Sequence, residues 1–133
     1  MKAKEWLNRA YKIDGEIDAL LSAKSAAYER LTSITAQQSG TAITSTKDPH
    51  KMESYVAYDS QIQERVNNLM AVKAEITATI AKLSDVRYRT LLTRRYIQYM
   101  PWEQIAVKMN YSYMHVCRLH GEALKAIEPL IPE

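Results

Sequence analysis

Apolar or small residues recur in the first third of the chain at Trp6, Ala10, Ile13, Ile17, Leu20, Ala27, Leu31 and Ile34. The steps are those of a coiled-coil seam and predict one long helix over residues 3 to about 38, interrupted only by Lys24. Gly15 weakens such a helix by about 1 kcal/mol relative to Ala without ending it. Gly40 offers the stop, because glycine takes the left-handed conformation just past a helix at little cost. The stretch TAQQSGTAITSTK has neither period nor bulk, so a loop at about 37–48 is expected. Asp48-Pro49 then reads as a helix start, a capping carboxylate followed by proline in the first turn. Met52, Val56, Ile62, Val66, Leu69, Ile76, Ile80 and Leu83 continue the seam, with Asp59 and Lys73 as polar breaks. Two such helices should fold back antiparallel, with Lys73 across from Asp14 and Glu16. Their apolar stripes are wider than one partner helix covers, which predicts self-association as a homodimer.

The pattern changes after Ser84-Asp85, the next capping signal. Leu91, Leu92 and Tyr96 mark a short helix ending near Tyr99. Pro101 opens another, with Trp102, Ile105, Ala106 and Met109 on its inward face. Asn110-Tyr111 is a turn, since Asn tolerates positive φ. Ser112 caps a last helix whose inward face is Val116, Leu119, Ala123 and Ile127, and Pro129 and Pro132 close it. No segment alternates with period two. The predicted fold is all-α: a long antiparallel, coiled-coil-like hairpin over 1–83, a spacer or assembly element, then a helix-turn-helix domain over 84–133.

Composition narrows the function classes. No run of 18 apolar residues exists, so no membrane span and no membrane partner are expected. The N-terminus, MKAKEWLNRAYK, has no apolar core of a secretory signal. Cys117 has no second cysteine to pair with, which suits a reducing compartment, and the expected location is the cytoplasm. The net charge of +3 permits a nucleic-acid partner without demanding one. The basic character is local: Arg87, Arg89, Arg94 and Arg95 fall within nine residues. There is no phosphate-binding glycine loop, no nucleophile motif and no carboxylate pair beside a histidine, so no enzymatic activity and no cofactor are expected. His115, Cys117 and His120 do not form a metal site, because His115 and His120 lie about 140° apart on a helix and zinc needs ligands converging on one point.

Leu83, Leu91-Leu92, Arg95-Tyr96, Trp102 to Ala106, Met109, Ser112, Val116, Leu119, Ala123-Leu124 and Ile127 hold one ungapped spacing. In these residues the segment Leu83–Ile127 resembles region 4 of sigma-70-type factors. The layout as a whole is similar to phage and prophage late-gene transcription regulators of the ArpU and RinA type. The resemblance implies a phage-encoded DNA-binding regulator in a bacterial host, with double-stranded DNA as its partner and RNA polymerase as a second candidate. Tyr113-Met114 stand where sigma region 4 usually carries an Arg-Glu pair, and Cys117 replaces a further Arg. Recognition of a sigma-type −35 element is therefore not implied.

On a helical wheel Met114, Arg118, Gly121 and Lys125 share the outward face of the last helix, spaced four, three and four. If that face enters the major groove, Arg118 can pair bidentately with guanine and Met114 can touch a thymine methyl. Ser112 and Tyr113 are phosphate-contact candidates at the helix start. His115 and Cys117 fall in the same two turns. Arg87, Arg89 and Arg94 are the freer arginines of the cluster and further phosphate candidates, with a solvated helix face as the other reading. Arg95 is expected in a structural role with Glu103 as its ion-pair partner, and His120 as a partly buried, hydrogen-bonded histidine. Two other classes fit the same features: a packaging component resembling a small terminase subunit, and a protein-interaction module that does not bind DNA.

Overall fold

The structure, a computed structural model, describes residues 2–37 and 49–132, and their side chains over 2–30 and 52–132. Gly40, Asp48 and the loop expected at about 37–48 lie almost wholly outside the described residues, as do the side chains of Leu31 and Ile34. The fold is all-α; among the described residues there is no strand. In chain order the helices are α1 (Ala3–Leu7), α2 (Arg9–Gln37), α3 (Pro49–Ala81) and α4 (Val86–Leu92). A π-helical turn (Thr93–Ile97) follows, then α5 (Trp102–Met109), α6 (Tyr113–Ile127) and a closing 3₁₀ turn (Glu128–Leu130). No described helix is long and apolar enough to cross a membrane.

The chain forms two compact units, Met1–Lys12 with Leu69–Glu133, and Ile13–Asn68. The boundary expected at 83/84 thus falls inside the first unit. Its core gathers Leu91 and Leu92 of α4, Ile105 of α5 and Val116, Leu119, Ala123 and Ile127 of α6, with Tyr96 between them. Ile76, Ile80 and Leu83 from the end of α3 belong to the same core, and so do Ala3, Trp6, Leu7 and Ala10. The N-terminal helix predicted as one piece breaks at Asn8, and the five-residue α1 packs against α6. Arg9 holds the break: its Nε donates to the Trp6 carbonyl at 2.9 Å, its guanidinium lies 4.7 Å from the Trp6 ring, and Nη2 pairs with Glu75 at 3.4 Å.

In the second unit α2 and α3 run antiparallel. Lys24 pairs with Asp59, Glu16 with Arg65 at 2.9 Å, and the rings of Tyr28 and Tyr55 lie 6.2 Å apart. Two expectations are corrected here. Glu16 takes Arg65 as its partner, and Lys73 sits over the Tyr99 ring at 4.9 Å, so the pairing of Lys73 with Asp14 and Glu16 does not describe the register. Met52 and Val56 are exposed, and Tyr55 and Tyr58 take the half-buried positions at that end of α3. The two polar breaks Lys24 and Asp59 answer each other: the hydrogen bond to Asp59 raises the Lys24 pKa, and its ammonium also lies 5.3 Å from the Tyr55 ring.

Candidate nucleic-acid interface

α6 is the element that carries the candidate face, and its start is set by local chemistry. Asn110 ends α5 in the left-handed conformation, φ 59° and ψ 42°. Tyr111 N–H then bonds the Ala106 carbonyl at 3.0 Å and Asn110 N–H the Val107 carbonyl at 3.2 Å, the paired bonds of a Schellman stop. Two residues later Ser112 Oγ accepts from His115 N–H at 3.1 Å and opens α6. A short helix, a three-residue turn and a longer helix result, packed through Ile105 and Ala106 on one side and Val116 and Leu119 on the other.

The inward face of α6 is buried, as its spacing required. Met114, Cys117, Arg118, Gly121 and Lys125 are exposed, and Glu122, one turn from both Arg118 and Lys125, borders the stripe and accepts from the Tyr88 hydroxyl at 3.3 Å. Ser112 is exposed while serving as the cap. Tyr113 is half-exposed, and its phenol is held above its ordinary pKa, chiefly by the charge of the Cys117 thiol one turn on, then by partial burial and a hydrogen bond to Cys117. His115 is half-buried, with its ring 4.2 Å from that of Tyr111, and so contributes less surface than its neighbours.

His120 faces the other way. The Tyr96 hydroxyl and His120 Nε2 are 2.6 Å apart, and the Trp102 ring stands edge-on to the imidazole at 4.5 Å. Burial, helped by the charges of Lys4 and Arg95, pushes the His120 pKa down to about 4. Burial likewise pushes Tyr96 up to about 12. The bond thus joins a neutral imidazole to a protonated phenol, and the imidazole tautomer sets which of the two donates. Arg95 completes the cluster, with its guanidinium 4.5 Å from the Trp102 ring and Nη1 on the Met100 carbonyl at 3.0 Å. These partners replace the expected Glu103. Arg95 has a structural role because the π-turn and Pro101 bring Met100 and Trp102 to it, an arrangement no local spacing announces.

The arginine cluster sorts itself in the same way. Arg87 is bound to Asp85, the N-cap of α4, at 2.9 Å, and holds that carboxyl below the ordinary range. Arg89 donates to the Leu83 carbonyl. The Arg94 side chain makes no hydrogen bond or ion pair among the described residues, and it stands apart from the α6 stripe, beside Arg89 and Lys108 around an open concavity. Lys108 escaped the sequence reading because it lies outside the arginine run, one helix farther on.

With this geometry in view, residues 39–128 match the profile of the DUF1492 family, described as proteins of unknown function. The chain belongs to the DUF1492 family. The DUF1492 match takes in α3 to α6 and leaves α1 and α2 outside it. No curated protein matches the chain, and no solved structure does.

Proposed function

We propose that the chain is a phage-encoded DNA-binding transcription regulator of late genes, acting in the cytoplasm of a bacterial host. α6 lies in the major groove, where Arg118 forks onto a guanine edge and Met114 meets a thymine methyl. The observation that carries the reading is the outward stripe of α6: the Arg118 and Lys125 side chains are exposed and make no hydrogen bond or ion pair among the described residues, while Glu122 beside them accepts from the Tyr88 hydroxyl at 3.3 Å. The resemblance of Leu83–Ile127 to sigma region 4 supports the same reading. Arg118 is the specificity residue, one turn past the helix start, and Lys125 and Ser112 serve the backbone.

The test is duplex binding of Arg118→Ala, against a site selected by the wild-type protein and against scrambled DNA. A loss of about 1–3 kcal/mol at the selected site, with base preference relaxed at one position, is expected. Circular dichroism should be unchanged, since the side chain is exposed. Equal binding of both DNAs by wild type and variant would sink groove reading. A protein partner such as RNA polymerase would then take first place. That second reading is favoured by the apolar side chains flanking the turn in the chain, Val107 at 81% exposure and Met114 at 72%.

A further inference from the structure

Leu91 and Leu92 bury one side of α4. On the other side the surface hollows into an open concavity of about 440 Å³, within the size range of small-molecule sites. Arg89, Arg94 and Lys108 line it together with Thr90, Thr93 and Gln98. Val86 forms an apolar wall, and no carboxylate reaches the cavity. The π-turn builds this lining. In a regular α-helix Gln98 would stand about 140° round from Thr93. Here Gln98 N–H bonds the Thr93 carbonyl at 3.0 Å, five residues back, so Gln98 comes to the same side of the helix as Thr93, one wide turn on. Arg89 is pinned through one terminal nitrogen to the Leu83 carbonyl, which leaves its other donors unspent. The side chains of Arg94 and Lys108 make no hydrogen bond or ion pair among the described residues.

We infer that this concavity is a seat for a phosphate group, carried either by a DNA strand or by a free nucleotide. Three cations converge where no anion balances them, and a concave surface concentrates their field. A phosphate presents oxygens to two guanidinium forks, which bind it bidentately, while the Lys108 ammonium acts as a point charge. Thr90, Thr93 and Gln98 supply the remaining donors, and Val86 gives a sugar or base an apolar surface to rest on. The DNA source rests on the reading of the preceding section; the phosphate seat does not.

The experiment is a ¹⁵N–¹H titration of the full chain with inorganic phosphate, against chloride at matched ionic strength. The Gln98 side-chain amide and the backbone amides of Thr90 and Thr93 should shift and saturate with phosphate only. Arg94→Gln combined with Lys108→Gln should weaken that titration by about tenfold or more, and Arg118→Gln should leave it unchanged. Adenosine monophosphate and a non-specific duplex then separate the sources. Tighter binding of the nucleotide than of phosphate, with duplex affinity intact in the double variant, assigns the seat to a free nucleotide. A duplex affinity that falls equally for all sequences, with a salt slope smaller by about 2, assigns it to the DNA backbone. If phosphate moves these amides no more than chloride does, or the double variant titrates like wild type, the seat is overturned. A chain that binds no duplex overturns the DNA-binding proposal alone, and the phosphate titration still decides the seat.

Discussion

At the scale of single residues, Gly121 separates folding from binding. It sits inside α6, and a Cβ built there would meet nothing within 4 Å. Glycine in a helix interior costs about 1 kcal/mol relative to Ala, so Gly121→Ala should stabilise the protein by that amount in urea titrations. The new methyl lies on the stripe proposed to enter the groove, where it would hold a duplex away, so the same variant should bind DNA more weakly. A gain in stability with undiminished binding would remove close approach at this position. His120 gives a prediction in pH. Its unfolded pKa is near 6.5 and its folded value about 4. Above 6.5 both states are neutral; between 6.5 and 4 the unfolded chain takes up a proton that the native state refuses. Stability should therefore fall as pH drops through that window. His120→Gln, whose amide can either donate to or accept from Tyr96, should flatten this part of the profile in denaturation series at stepped pH. The inward placement of His120 was legible, because its wheel position follows from the buried stripe. Its Tyr96 partner, 24 residues away, was not, since it depends on how the π-turn sets against α6.

At the scale of elements, helices whose capping and periodicity agree were the legible ones. Ser112, Asp85 and Asn110 all act where local chemistry placed them. Seam positions Ile17, Ile76, Ile80 and Leu83 are buried for the same reason. What the pattern did not carry was decided by tertiary packing. Lys24 looked like a defect in one stripe and Asp59 like a defect in another, and only the register pairs them. Met52 and Val56 fit the heptad as well as Tyr55 and Tyr58 do, but the larger rings take the interface. α1 is the strongest case. Its five residues have no amphipathic length of their own, yet Trp6 is 3% exposed and Leu7 fully buried in the core that holds α6. Trp6→Ala should cost about 3–5 kcal/mol, and the near-UV signal of Trp102 should melt with it in a single transition. Val107→Ala, at a position 81% exposed in the first unit, should stay within about 0.5 kcal/mol of wild type. Loss of Trp6 that leaves the transition of residues 84–133 unmoved would mean that α1 only decorates the core.

At the scale of the molecule, the two units differ sharply in how they are filled. The first has a core drawn from every helix of the chain. In the second, among residues with described side chains, Ile17 alone is buried, and its neighbours Ile13, Leu20, Ile62 and Val66 are only half-covered. The described part of the hairpin thus buries little apolar surface of its own, where small scaffolds need more than one thin core, while Leu21, Tyr28, Met52 and Val56 remain exposed along it. A second copy of the hairpin, forming a four-helix arrangement, would bury these side chains at the ordinary spacing of such bundles. Dimerisation would also give the proposed regulator two copies of α6 for a repeated or palindromic site, as helix-turn-helix dimers use. Light scattering and sedimentation should therefore find a dimer at micromolar concentration. Leu21→Glu combined with Val56→Glu should return a monomer, because like charges opposed across an apolar seam are destabilising. Those substitutions lie outside the first unit, so the thermal transition monitored at Trp102 should survive them while cooperative binding to a two-site duplex is lost. A wild-type chain that stays monomeric at high micromolar concentration would sink the assembly role of the hairpin, and its exposed apolar side chains would then have to meet a different protein.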